Sequence, residues 1–306
     1  MKTNLLISVV GPTAIGKTAL SIKIAKAFGT EIISADSRQF YKEIPIGTAA
    51  PDKKELTAAP HHFIHNRSIE EDYSVGDYER EALEKLNILF KDYNVMVLVG
   101  GSGLYIKSLI EGLDNFPEID QDIRDQLNDR LLNEGLETLK AQLEQLDPEY
   151  YNKIDTSNPH RVIRALEVCL GSGKTFSSFL NQPKPSRNFQ TISIGLTAPR
   201  EEIYERINRR VDIMMDEGLL EEAQKLYPKR RLNALNTVGY KELFSFFEGR
   251  IDLENAVEEI KMNSRRYAKR QLTWFRKNKD INWFDYKTPF SEIENFIMSE
   301  IQEKYK

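Results

Sequence analysis

A chain of 306 residues, 40% of them hydrophobic, is long enough to bury one large core or two modest ones. Its 43 basic and 47 acidic residues leave a net charge of -4, so a nucleic-acid footprint, if there is one, must be local. The one cysteine, Cys169, excludes an internal disulfide framework, and no run of about 18 apolar residues offers a membrane span; we expect a cytoplasmic monomer with no membrane partner.

From the N-terminus, LLISVV at 5–10 is a short continuous apolar run ending at Gly11, the pattern of a strand buried on both faces, and a helix is expected from Lys17. EIISADS, ending at Asp36 and Ser37, and VMVLV at 95–99, ending in GGSG, repeat that pattern, with helical stretches such as YEREALEKLNILF between them. The alternation predicts an α/β fold, a P-loop NTPase-like parallel sheet core, with functional groups collected at the carboxyl ends of the strands. Gly11, Asp36 and Ser102 are expected at that edge, Asp36 on the strand beside the phosphate loop. From about 116 the sequence reads with helical period and no strand, predicting a helical insertion domain over 116–187 that interrupts the core between 1–115 and 188–306. FQTISIGLTA at 189–198 returns to strand character, PREEIYERINRRVDIMMDEG resumes a helix, and INWFD at 281–285 reads as an edge strand.

Two segments resemble phosphate loops. GPTAIGKT, residues 11–18, follows a buried strand and supplies every part: Gly11 and Gly16 for close backbone approach, Lys17 as a point charge, and Thr18 for magnesium. Gly11, Pro12, Thr13, Ala14, Ile15, Gly16, Lys17 and Thr18 are therefore the expected diphosphate cradle. GSGKT at 171–175 follows helical ALEVCL and has Val168 where the first glycine belongs, so Gly171 and Gly173 are read as a helix stop and Lys174 as a surface residue. The cradle alone does not say which bond breaks. Asp36, followed by Ser37, Arg38 and Gln39, is read as a general base or as part of a metal shell. His61, His62 and His65 have no nearby fourth ligand and are assigned to a turn or core edge. Residues 261–279, KMNSRRYAKRQLTWFRKNK, carry eight basic residues and no acidic one, so Lys269 and Arg270 are expected to track nucleic acid, whereas Trp274 and Phe275 are assigned to the core.

The ordered set GPTAIGKT, ISADSRQFYKEIPIGTAAP, LVGGSGLYIKSL, NPHRVIRALEV, ERINRRVDIMMDEGL, TVGYKE and RRYAKRQLTWFR resembles the bacterial tRNA dimethylallyltransferases from about residue 5 to 286. The resemblance implies transfer of a dimethylallyl group from dimethylallyl diphosphate to N6 of adenosine 37 in the tRNA anticodon loop, with Mg2+ as cofactor. It assigns Asp36 as base, Lys17, Thr18 and Arg210 to the departing diphosphate, with Arg206 in reserve, and Thr18 to the metal. It places Asp36, Ser37, Arg38, Gln39, Ser102, Arg124, His160, Arg161, Val162, Ile163 and Arg164 against the tRNA. Ser102 stands where threonine is frequent in that family and Ile15 where a small residue is usual. An ATP-dependent small-molecule kinase, with the insertion as a lid, and a non-catalytic RNA-binding module are the alternative readings.

Overall fold

The computed structural model describes residues 4–184 and 186–304. The chain forms two compact units, Met1–Glu111 with Arg187–Lys306, and Gly112–Ser186. In the first, β1 (Asn4–Val10), α1 (Lys17–Phe28), β2 (Ile32–Ser34), α2 (Lys53–Ala58), β3 (His61–His62), α3 (Val75–Leu89), β4 (Val95–Val99) and α4 (Gly103–Glu111) precede the insertion. The second unit holds α5 (Gln121–Glu134), α6 (Leu136–Leu146), α7 (Pro148–Tyr151) and α8 (Pro159–Ser172). The chain then adds β5 (Phe189–Thr197), α9 (Arg200–Asp216), α10 (Leu219–Leu226), α11 (Tyr240–Phe247), α12 (Leu253–Phe275), β6 (Ile281–Asp285) and α13 (Phe290–Lys304) to the first unit.

The strands form a six-stranded sheet in the order β3-β2-β4-β1-β5-β6, all parallel. Sequence alternation sorts β1 onto two faces. Leu5, Ile7 and Val9 pack with Leu20 and Ile24 of α1, Ile203 of α9 and Ile293 of α13; Leu6 and Val10 pack with Tyr78 of α3, Ile106 of α4 and Phe275 of α12. Burying each such Ile, Leu or Phe is worth roughly 1.5–3 kcal/mol, so the two faces together fix which strand ends share an edge. One expectation is corrected: β4, not β2, lies directly beside β1. Asp36 therefore reaches the phosphate loop from a strand one place further out, while Gly100–Ser102 follow the adjacent strand.

A third cluster, outside the sheet, joins Val211 and Met214 of α9, Leu219 of α10, Tyr240 and Leu243 of α11 and Ile260 of α12 to Tyr41 and Ile44. It anchors the segment after Asp36. The insertion has its own core of Leu127, Leu139, Leu143, Val162, Leu166 and Val168. Its α8 starts at Pro159, capped by Asn158, and stops where Gly173 takes φ 69, a left-handed conformation that only glycine adopts at little cost. Lys174 is exposed. GSGKT is thus a helix terminus, as its sequence context required.

Candidate active site

β1 delivers the chain to Gly11, whose Cα lies so close to the Leu196 carbonyl that a Cβ would overlap it. The turn continues through Ala14 at φ 63, held by Arg206, whose Nε donates to the Ala14 carbonyl at 2.8 Å, and Arg210 reaches the Thr13 hydroxyl at 3.3 Å. Gly16 caps α1 with no side-chain hydrogen bond, so the first amides of that helix remain available to an anion. Ile15 is 1% exposed, and its branched side chain belongs to the sheet core. Lys17 Nζ donates to the Pro12 carbonyl at 2.7 Å. Burial lowers its pKa from 10.5 to about 8; Asp36 opposes that shift and Arg210 adds to it.

Two cavities meet at this edge. One, of about 160 Å³, is lined by the phosphate loop with Glu55 and Gln271; the other, of about 390 Å³, is lined by Arg38, Ile207, Met214, Lys241 and Arg270. Thr13, Asp36, Thr48, Ala49, Arg210 and Tyr267 line both, so Asp36 and Arg210 stand at the junction. Asp36 Oδ1 accepts from the Arg38 amide at 3.1 Å, and among the described residues no hydrogen bond engages Oδ2. Burial lowers the Arg210 pKa, Arg206 lowers it further, and Asp36 raises it.

Around Asp36 the run Ser37-Arg38-Gln39 is used locally. The Ser37 amide donates to Ser102 Oγ at 3.0 Å and Ser102 Oγ donates to Ser37 Oγ at 3.1 Å, so the hydroxyl at position 102 ties two strand ends together. Arg38 donates to the carbonyls of Asn233 and Ala234, and the Gln39 amide to those of Thr48 and Ala49. These two side chains position loops of the cleft. Thr18, second residue of α1, lines the smaller cavity with the Asp36 and Glu55 carboxylates, a set of hard oxygen donors that suits magnesium alongside a diphosphate.

Three features were not legible in the sequence. Tyr267 lines both cavities and hydrogen-bonds Ser102; burial and the Asp36 charge push its phenol up to about 12. Gln271, 5% exposed, accepts from the Thr13 amide at 2.8 Å and donates to the Gly101 carbonyl at 2.9 Å, fastening α12 to the phosphate loop and to the turn after β4. Glu222 accepts from the amides of Ile46 and Gly47 and from the Tyr240 hydroxyl, pinning the loop that carries Thr48 and Ala49. The signal for the first two is their four-residue spacing inside RRYAKRQ, which places them on the inward face of α12. The basic residues between them obscured it.

In the insertion, Arg124 and Arg164 converge on the buried Glu167, at 3.7 and 2.8 Å, and His160 and Arg161 are exposed. Val162 and Ile163 are corrected: at 0% and 3% exposure their side chains belong to the insertion core and are not free to contact RNA. Lys269 and Arg270 are both exposed on α12, but only Arg270 lines the Asp36 cavity. Phe275 is buried as expected, whereas Trp274 is corrected to an exposed position. His61 and His62 form the edge strand β3, with His62 Nε2 2.6 Å from Glu31 and His61 Nδ1 2.8 Å from the Ala59 carbonyl. His65 sits at φ 48 in the loop beyond.

A glycine cradle at the end of an inner parallel strand, a lysine and a threonine at the following helix and two arginines on the flank define a P-loop-type α/β protein, with a carboxylate beside the loop. The chain belongs to the IPP transferase family, whose model matches residues 39–278. It is 61% identical over 299 residues to a tRNA dimethylallyltransferase of Christiangramia forsetii, covering 98% of this chain and 99% of that one. A tRNA dimethylallyltransferase of Flavobacterium johnsoniae is 56% identical over 303 residues, with 97% and 98% covered. Among solved structures it is similar to the tRNA isopentenylpyrophosphate transferase of Bacillus halodurans, at 37% identity and TM-score 0.74 over 99% and 98% of the two chains. It is also similar to a eukaryotic dimethylallyltransferase acting on tRNA, at 27% identity and TM-score 0.79 over 94% and 75%.

Proposed function

We propose that this chain is a tRNA dimethylallyltransferase that moves the dimethylallyl group of dimethylallyl diphosphate onto N6 of adenosine 37, releasing diphosphate. The observation that carries the reading is the junction: Asp36 and Arg210 stand where the phosphate-loop cavity meets the larger one. A donor with its diphosphate on the loop and an acceptor base entering from the larger side would meet beside a carboxylate. The kinase alternative has no support among the chain's relatives.

In the reaction the N6 lone pair attacks C1 of the allyl group as the C–O bond to diphosphate breaks, and the bonding pair leaves on that oxygen. Asp36 takes the N6 proton, help worth about 10²–10⁴ in rate for a general base. The loop amides, Lys17 and Arg210 receive the charge on the leaving oxygen; losing one such donor costs about 10²–10³. Magnesium, held by Thr18 with Asp36 or Glu55 nearby, would supply further charge neutralisation. Extracting the base from the loop stack costs a few kcal/mol, to be offset by contacts along the RNA.

Incubation with magnesium, dimethylallyl diphosphate and tRNA, followed by mass spectrometry of the nucleosides, is expected to show one five-carbon addition at adenosine 37. Asp36→Asn should bind both substrates and transfer about 10²–10⁴ more slowly. Equal rates for the two proteins would remove the base assignment, and absence of the adduct with wild type would remove the function.

A further inference from the structure

The end of α12 carries a surface outside the two cavities that meet at Asp36. Trp274 is 43% exposed although Phe275 beside it is 3% exposed, an uncommon position for the residue type that buries the most area. The indole is not loose. It lies against Gly103, at the start of α4, so closely that a Cβ there would overlap the ring. Arg270 precedes it by four residues on α12, so the two share one exposed face of that helix, and the exposed Lys277 lies in the turn just after the helix ends. Beside the indole opens a cavity of about 520 Å³ walled by Val10, Ile106, Ile110 and Phe275, with Lys277 and Lys279 on its lining. Lys107 also lines it and is paired with Glu111 at 3.8 Å, and Asp280 lies there too; Lys277 and Lys279 have no ion-pair partner among the described residues.

A planar aromatic face held rigid, an apolar hollow next to it and unpaired cations around it match the chemistry of an unpaired nucleobase on a phosphate chain. Position supplies the link to the reaction. Arg270 lines the Asp36 cavity, and Trp274 lines the next one a single helical turn, about 5.4 Å, further along α12. We infer that Trp274 and the cavity beside it receive an unpaired base of the RNA substrate, stacked on the indole, from a nucleotide close to the one that is modified. This rests on the RNA-modifying function above. The charges on α12 then hold phosphates while Trp274 holds a base, so part of the cost of unstacking the loop is recovered at a second place.

The chain contains two tryptophans, Trp274 and Trp283, so Trp283→Phe leaves Trp274 as the sole indole. This full-length variant is titrated with an anticodon stem-loop RNA, binding being followed by anisotropy of the labelled RNA and by indole emission. Emission should be quenched along the same isotherm as the anisotropy. In the native background, Trp274→Ala should raise Kd about 5-fold or more, and Trp274→Phe should retain most of the affinity. Placing an abasic site at each loop position in turn should reproduce the Trp274→Ala loss at one position, with no further loss when the two are combined. Saturating anisotropy with unchanged emission overturns the stacking site, as does equal quenching by free adenosine monophosphate, which would make the cavity a small-molecule pocket. Quenching without prenyl transfer would sink the function and leave the base site standing, whereas transfer without quenching sinks the base site alone.

Discussion

Burial holds Lys17 at a pKa of about 8, below the 10.5 of a free lysine, so much of it is neutral in the ligand-free protein at mildly alkaline pH. A diphosphate beside it raises that value again. Donor binding should therefore take up a proton near pH 8.5 and weaken as pH rises above about 8. Calorimetric titrations in two buffers of different ionisation enthalpy measure this uptake, and Lys17→Met should abolish it. The stability sign is separate: between about 8 and 10.5 the unfolded chain binds more protons at this residue, so its unfavourable contribution to folding diminishes as pH rises through that window. At this scale Lys17, Thr18 and Asp36 were legible because each sits at a fixed offset from a strand end. Ser37, Arg38 and Gln39 were legible as neighbours of Asp36, but their partners, up to 196 residues away, were not.

Among the elements, α12 does two tasks on two faces. Its exposed side carries Lys269, Arg270 and Trp274; its inner side sends Gln271 to the Thr13 amide and the Gly101 carbonyl. Gln271→Leu strands both groups, each worth about 1–3 kcal/mol when buried without a partner, and should raise KM for the donor more than it lowers kcat. Gln271→Glu provides a sharper check. A protonated glutamic acid keeps both an acceptor for Thr13 and a donor for Gly101, whereas the carboxylate loses the donor and sets a negative charge beside the diphosphate. Its KM for the donor, relative to wild type, should fall as pH falls; a flat ratio would mean that Gln271 only fills space. The local composition of 261–279 showed a basic helix, but which aromatic faced inward depended on what α4 and β1 packed against it. Trp274 meets Gly103, where the absence of a side chain admits the ring at the surface, and Phe275 is buried in the cluster that holds Leu6 and Val10. The second GSGKT shows the converse case. Its helical approach and misplaced glycine were local facts, so the sequence identified it as the stop of α8 without help from the fold.

For the whole molecule, a net charge of -4 means that RNA attraction depends on placement of cations and not on their number. Replacing Lys269 and Arg270 together by alanine should flatten the dependence of log K on log salt by about 0.7 for each phosphate that these side chains neutralise. An unchanged slope from filter binding across a salt series would return these residues to plain solvation. The sequence by itself determined the parallel α/β core, its glycine cradle and the helical insert, because strand burial, turn chemistry and helix periodicity are short-range properties written in consecutive residues. Tertiary structure alone decided that β4 separates β1 from β2, that Asp36 and Arg210 stand at one junction, that Tyr267 and Gln271 turn inward, and that Val162 and Ile163 are core. Each of these depends on which faces bury against each other across more than a hundred residues or across packed helices, and no local pattern carries that information.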